Sequence, residues 1–174
     1  MTTRERELAA IARLRPKAIA GDSIAVSNVA AGYRILGQWN LAFRWWKKGA
    51  AAGNGSDMLE AGYCYHHGLG VRRDMVAARR LYQSAIRSST ISQFEQEEAM
   101  YHLAVLLLQT GGLTVRAGVE KLLREASVDG DYPEASNLLA SLDSGTVEIW
   151  VCRRGLRPGL GRRACRGHGR RVPS

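Results

Sequence analysis

Three triplets of small, large and small residues recur along the chain at the same internal offsets. Ala42, Trp46 and Gly49 lie at i, i+4 and i+7, and so do Ala78, Tyr82 and Ala85, and Val119, Leu123 and Ala126. On a helix these offsets form one stripe, in which small residues admit a neighbouring helix closely while the large one fills the gap. A stripe of this kind cannot be buried by its own helix, so each unit must stack on another. Of the sequence's features, this one most narrows what the chain can fold into.

The spacing between units supports repetition. Ala18 to Ala50 is 32 residues, Ala50 to Ala85 is 35, and Ala85 to Ala126 is 41. The longer interval contains a polar segment, "RSSTISQFEQE" (87–97), read as an insertion at an irregular junction. Small-residue runs ending in Gly and a polar residue, "KAIAGD", "KGAAAGN" and "REASVDGD", each precede a helical pattern. Helix-turn-helix units follow, with an N-terminal helix and "YPEASNLLASL" as caps.

The segment "YCYHHGLGVRRDMVAARRLYQSA" (63–85) invites three chemical readings. Phosphate binding through Gly68-x-Gly70 needs a preceding strand, whereas residues 56–67 have helical periodicity. The two glycines instead suit a turn requiring positive φ, with Asp74 as the N-cap of a helix that Met75 opens. For metal binding, Cys64 and His67 share a helix face and His102 lies in the next unit, but no Cys-x-x-Cys or His-x3-His spacing is present. In the tail, Cys152, Cys165 and His168 lack a fourth ligand. No nucleophile elbow or paired carboxylates in an apolar setting occur, so no catalytic residue, metal or cofactor is assigned.

Ala61, Gly62, Tyr65, Gly68, Gly70, Val71, Asp74, Ala78, Tyr82 and Ala85 together resemble a Sel1-like repeat, with Ala61 in place of the usual Leu. The flanking units, carried by Val29, Ala30, Tyr33 and Gly37 and by Leu103, Ala104, Leu107 and Gly111, are similar to the tetratricopeptide-like frame of that family. The resemblance spans roughly residues 18–142. It implies an all-α fold, an αα-hairpin solenoid forming a right-handed superhelix of about three repeats, within a domain of residues 1–144. It also implies a non-catalytic scaffold that binds another protein or peptide on its concave surface, as do adaptors in bacterial signalling, envelope assembly and host interaction. Some relatives are immunity proteins that neutralise a toxin.

With the core frame at Val29/Tyr33, Ala61/Tyr65 and Leu103/Leu107, the outward positions name candidate partner-binding residues: Arg34, Tyr63, His66, His67, Tyr101 and Gln109. Tyr63 and Tyr101 also suit core filling, and Trp45, about 100° from the frame residue Trp46, suits packing on the N-terminal helix.

The formal charge of +9 is uneven. Residues 145–174 carry eight arginines against Glu148, which leaves +2 for residues 1–144. The basic character therefore belongs to the tail, and no nucleic-acid partner is expected for the body. The Gly/Arg-rich tail reads as a disordered appendage, as a tether to nucleic acid or an acidic partner, or as read-through outside the natural design. Within it, "TVEIWVC" alternates as an edge strand would. The N-terminus has no continuous apolar run and the longest such run is "LAVLLL" (103–108), so neither a secretory signal nor a membrane span is expected. A cytoplasmic protein, monomeric or weakly dimeric, with reduced cysteines follows.

Overall fold

The computed structural model describes residues 2–111, 115–128 and 132–144. The expected tail, residues 145–174 with its edge-strand segment, lies outside the described residues. Eight α-helices and no strand occur among the described residues. They belong to two compact units, Met1–Ser92 and Gln93–Ser174. No helix among the described residues is long and apolar enough to cross a membrane.

The first unit holds α1 (Thr3–Ile19), α2 (Ser23–Ile35), α3 (Trp39–Ala51), α4 (Gly55–His67) and α5 (Met75–Ile86). Each helix packs on the next in chain order, as expected of stacked hairpins. Thr2 and Glu5 close a capping box on α1, Asp22 accepts from the Ala25 amide at 2.9 Å, and Asn54 accepts from the Asp57 amide at 2.9 Å. These short polar side chains satisfy amides that the helix itself leaves open, which is why the chain turns at "GD" and "GN" and resumes as a helix.

Packing follows the triplets. Ala42, Trp46, Ala78, Tyr82 and Ala85 are all buried, and Gly49 is buried with them. One cluster joins Ala30, Phe43, Trp46, Ala61, Cys64 and Leu69, and a second joins Ile11, Ala18, Ala25, Val26 and Val29. Trp45 packs against the second cluster, whose buried residues come from α1 and α2. Lys48 lies 5.3 Å from the Trp45 ring and donates to the carbonyl oxygens of Ala18 (2.7 Å) and Ile19 (3.3 Å), closing the C-terminal end of α1.

The second unit holds α6 (Gln93–Gly111), α7 (Arg116–Glu125) and α8 (Pro133–Asp143). Helix α7 packs on both α6 and α8, burying Ala104, Val119, Leu123, Ala126, Ala135 and Leu142. Pro133 opens α8, where its missing amide costs nothing.

The polar segment 87–97 differs from its reading as an insertion. Its second half is helical, with Gln93 to Glu97 forming the start of α6 and Glu95 in its first turn. Acidic residues are favoured there by the helix dipole. Its first half docks on α4, because the Gly55 amide donates to Thr90 Oγ1 at 2.9 Å.

Candidate functional site

Helix α4 carries three of the six candidate residues, and both of its ends are fixed by local chemistry. Gly68 terminates it in the left-handed conformation at φ 71°, and Gly70 repeats that conformation at φ 68°. The Leu69 amide returns to the Cys64 carbonyl at 2.9 Å and the Asp74 amide to the Tyr65 carbonyl at 3.0 Å. Gly70 has a second role, since a Cβ there would overlap the backbone of Trp39 at the start of α3. Asp74 then accepts from the Val76 (3.0 Å) and Ala77 (2.9 Å) amides and starts α5. The Gly-x-Gly segment is thus a turn between two packed helices, not a phosphate cradle.

Arg34 of α2 is 46% exposed, and its guanidinium lies 3.5 Å from Glu60 of α4 and 6.0 Å from the Trp46 ring centroid. The half-buried Tyr63 packs against His67, with ring centroids 4.3 Å apart and the planes tilted by 46°, and borders the cluster that contains Trp46. Arg34, Tyr63 and His67 are therefore partly exposed groups on α2 and α4, the first helices of successive hairpins.

His66 requires a correction. The sequence reading turned it outward, but it is 1% exposed and its Nδ1 lies 3.3 Å from the Tyr82 hydroxyl. The two histidine rings stack at 4.4 Å with an interplanar angle of 24°, so His67 covers the outer face of His66. Arg73 donates from Nε to the His66 carbonyl at 2.9 Å, which ties the turn to the same place. His66 is a polar group of the hairpin interior, where a buried imidazole needs a hydrogen-bonding partner.

The other two candidates sit on α6 in the second unit. Tyr101 is half-buried, with its ring 5.3 Å from Tyr132 and 5.4 Å from His102. Burial, then the charge of Glu134, raises its phenol above the ordinary range. Gln109 is half-buried near the C-terminal end of α6.

Cys64 is fully buried. Burial pushes its thiol up to about 12, reinforced by the charge of Glu60 and opposed by Arg34, so it is protonated and inert near neutrality. Among the described residues no three of His, Cys, Asp and Glu come together as a metal site. Cys152, Cys165 and His168 lie outside the described residues.

Two residues that matter to this region escaped the sequence reading. Asp57 is 1% exposed against Gly49, and a Cβ on Gly49 would overlap the Asp57 carboxylate. The signal was present: Asp57, Ala61 and Cys64 lie at i, i+4 and i+7, the same periodicity used for the triplets. Lys48, which closes the end of α1, carries no such signal, because nothing in the local pattern announces a distant helix end.

The family model for the Sel1 repeat matches residues 40–54, 56–89 and 97–126. These stretches cover α3, the α4–α5 hairpin, and the greater part of α6 and α7. No curated protein matches the chain.

Proposed function

Since the chain belongs to the Sel1 repeat family, a family of protein-interaction modules that are generally non-catalytic, we propose that it is a bacterial, cytoplasmic scaffold that binds a partner protein or peptide. The proposed contact surface is formed by the first helices of the first unit, α2 and α4, which correspond to the concave side of such repeats. The observation that carries this reading is the disposition of Arg34, Tyr63 and His67. An arginine poised over Trp46 and a tyrosine packed at a tilt against a histidine stay partly exposed on α2 and α4. Arginine and tyrosine are the side chains that most often anchor protein interfaces, and ones already held by neighbours lose little further freedom on binding. Tyr101 and Gln109 of α6 are proposed separately, as a contact within the second unit.

A photo-crosslinking residue at position 63, compared with one at the exposed Leu8 of α1, tests the assignment in cells. The expected result is one dominant protein adduct from position 63 that weakens with Arg34→Ala and His67→Ala. Equal adducts from position 8, or none from position 63, would remove the first-helix surface from the proposal. A single one-to-one partner with toxin activity would make the chain an immunity protein; several partners would make it an adaptor.

A further inference from the structure

The value of +2 for residues 1–144 conceals two opposite charges. The first unit has fourteen Lys and Arg against six Asp and Glu, a net of +8, whereas residues 93–144 have three against nine, a net of −6. The expectation that the body is close to neutral holds only for its sum.

Within the first unit, much of the excess lies on the second helices of the hairpins. Exposed positions Asn40, Arg44, Lys47 and Ala51 follow i, i+4, i+7 and i+11 along α3; Val76, Arg80 and the C-cap Arg87 fall at i, i+4 and i+11 of α5, where i+7 is the half-buried Gln83. Arg44 and Arg80 occupy equivalent repeat positions, each two residues after the first small residue of its triplet. Both helices pack on α4, so repeat-equivalent positions turn their outer stripes to the same side.

The side chains of Arg44 and Lys47 on α3, of Arg79 and Arg80 on α5, of its C-cap Arg87 and of Arg72 in the preceding turn are exposed and make no hydrogen bond or ion pair among the described residues. Lys48 and Arg73 do not join them, being committed to the end of α1 and to the His66 carbonyl. The acids from Trp39 to Ser92 cannot neutralise the stripe: Asp57 is buried, Glu60 pairs with Arg34, and Asp74 caps α5.

The geometry points to a second interaction surface, the outer face of α3 and α5, for the phosphate backbone of a nucleic-acid duplex. Five of the six cations are arginines, whose planar fork matches phosphate oxygens in pairs. Protein interfaces need apolar or aromatic anchors at their centre, and on α3 and α5 the one large apolar residue that is exposed is Val76, since Phe43, Trp46 and Tyr82 are buried and Trp39 and Trp45 are partly buried against the core. Membrane surfaces favour the same missing anchors. Single strands are held by exposed aromatic platforms, which are equally absent here. A duplex backbone requires only placed positive charge, and the reading is independent of the first-helix surface proposed above.

The test uses the full chain, a mixed-sequence DNA duplex and fluorescence anisotropy across a salt series. One variant replaces the six cations with Gln, which preserves helix propensity, and another replaces the eight tail arginines with Gln. The full chain should bind with affinity that falls steeply with salt. The six-Gln variant should lose about tenfold or more in affinity and about 3–5 from the log–log salt slope, at about 0.9 per phosphate contact, while the tail variant keeps most of its slope. Should the six-Gln variant not give a native helical spectrum, Arg79→Gln/Arg80→Gln should lower the slope by about 2. The proposal fails if the full chain does not bind, or if only the tail variant loses binding. It also fails if the single strand, polyglutamate or phosphatidylserine vesicles bind as tightly at the same salt.

Discussion

Helices α5 and α7 share one buried stripe and differ in what faces outward. Ala78, Tyr82 and Ala85 in the first, and Val119, Leu123 and Ala126 in the second, are all fully buried. At the position two residues into each triplet stand Arg80 and Lys121. Lys121 reaches Glu125 at 3.8 Å, and on the same helix Arg116 and Arg124 both reach Glu120. Arg80 reaches no carboxylate among the described residues. Exposed ion pairs contribute only about 0–1 kcal/mol each, so the contrast has little to do with holding the helices in place. Burial sets the fold through the inner stripe and leaves the outer one free, and there the two units have diverged to opposite charge.

The inner stripe is where the comparison breaks most violently. Gly49, Ala85 and Ala126 are equivalent, yet Gly49 faces Asp57. Gly49→Ala should destabilise the chain by about 3 kcal/mol in denaturant unfolding, because a Cβ would displace a buried carboxylate in a packed interior. In an Asp57→Ala background the added penalty should largely vanish, a coupling that a double-mutant cycle isolates. An equal penalty in both backgrounds would mean that Gly49 is required for some reason other than Asp57.

That pair marks the limit of what a linear reading could see. The triplets, the glycine turn and the Asp74 cap were legible because each is a local pattern of a few residues with a physical requirement at every position. The helices α1 and α8 were legible by the same logic. His66 faces inward, unlike its sequence reading, because the frame at Ala61/Tyr65 reflects the first helix of the hairpin alone, whereas the Tyr82 hydroxyl beside its ring lies on the following helix. The charge division was hidden by a different averaging: summing residues 1–144 cancels two units whose boundary, at Ser92, carries no glycine mark. Segment 87–97 read as an insertion for that reason, although Glu95 and Glu97 already suit the start of a helix.

The helix starts offer a smaller test. Asp74 caps α5 through two amides, whereas Val115 before α7 gives no side-chain cap. Asp74→Ala should cost about 1 kcal/mol and speed amide exchange in the first turn of α5. The first turn of α7, which has no such bond to lose, should exchange at an unchanged rate. A variant as stable as the parent would assign the start of α5 to the Gly70 turn rather than to its cap.

The smallest effect belongs to the outer stripe of α7, and it is the one that distinguishes the two surfaces by pH. Hydrogen bonding from Arg116, and then the charges of Arg116 and Arg124, hold the Glu120 carboxyl below its ordinary range. A carboxylate whose folded pKa is depressed contributes stability above its unfolded pKa and loses it as pH falls through the folded value. Glu120→Gln should therefore lower the melting temperature slightly near neutrality, and the gap should close in acid and in high salt, where the pair is screened. Arg80→Gln on α5 should leave the melting temperature unchanged at either pH, since that arginine has no partner carboxylate to lose. If the two substitutions behaved alike, the acidic unit would owe its helix-surface charges nothing that the basic unit lacks. Unequal behaviour would show that α7 spends its cations internally, while α5 leaves its own available for a ligand.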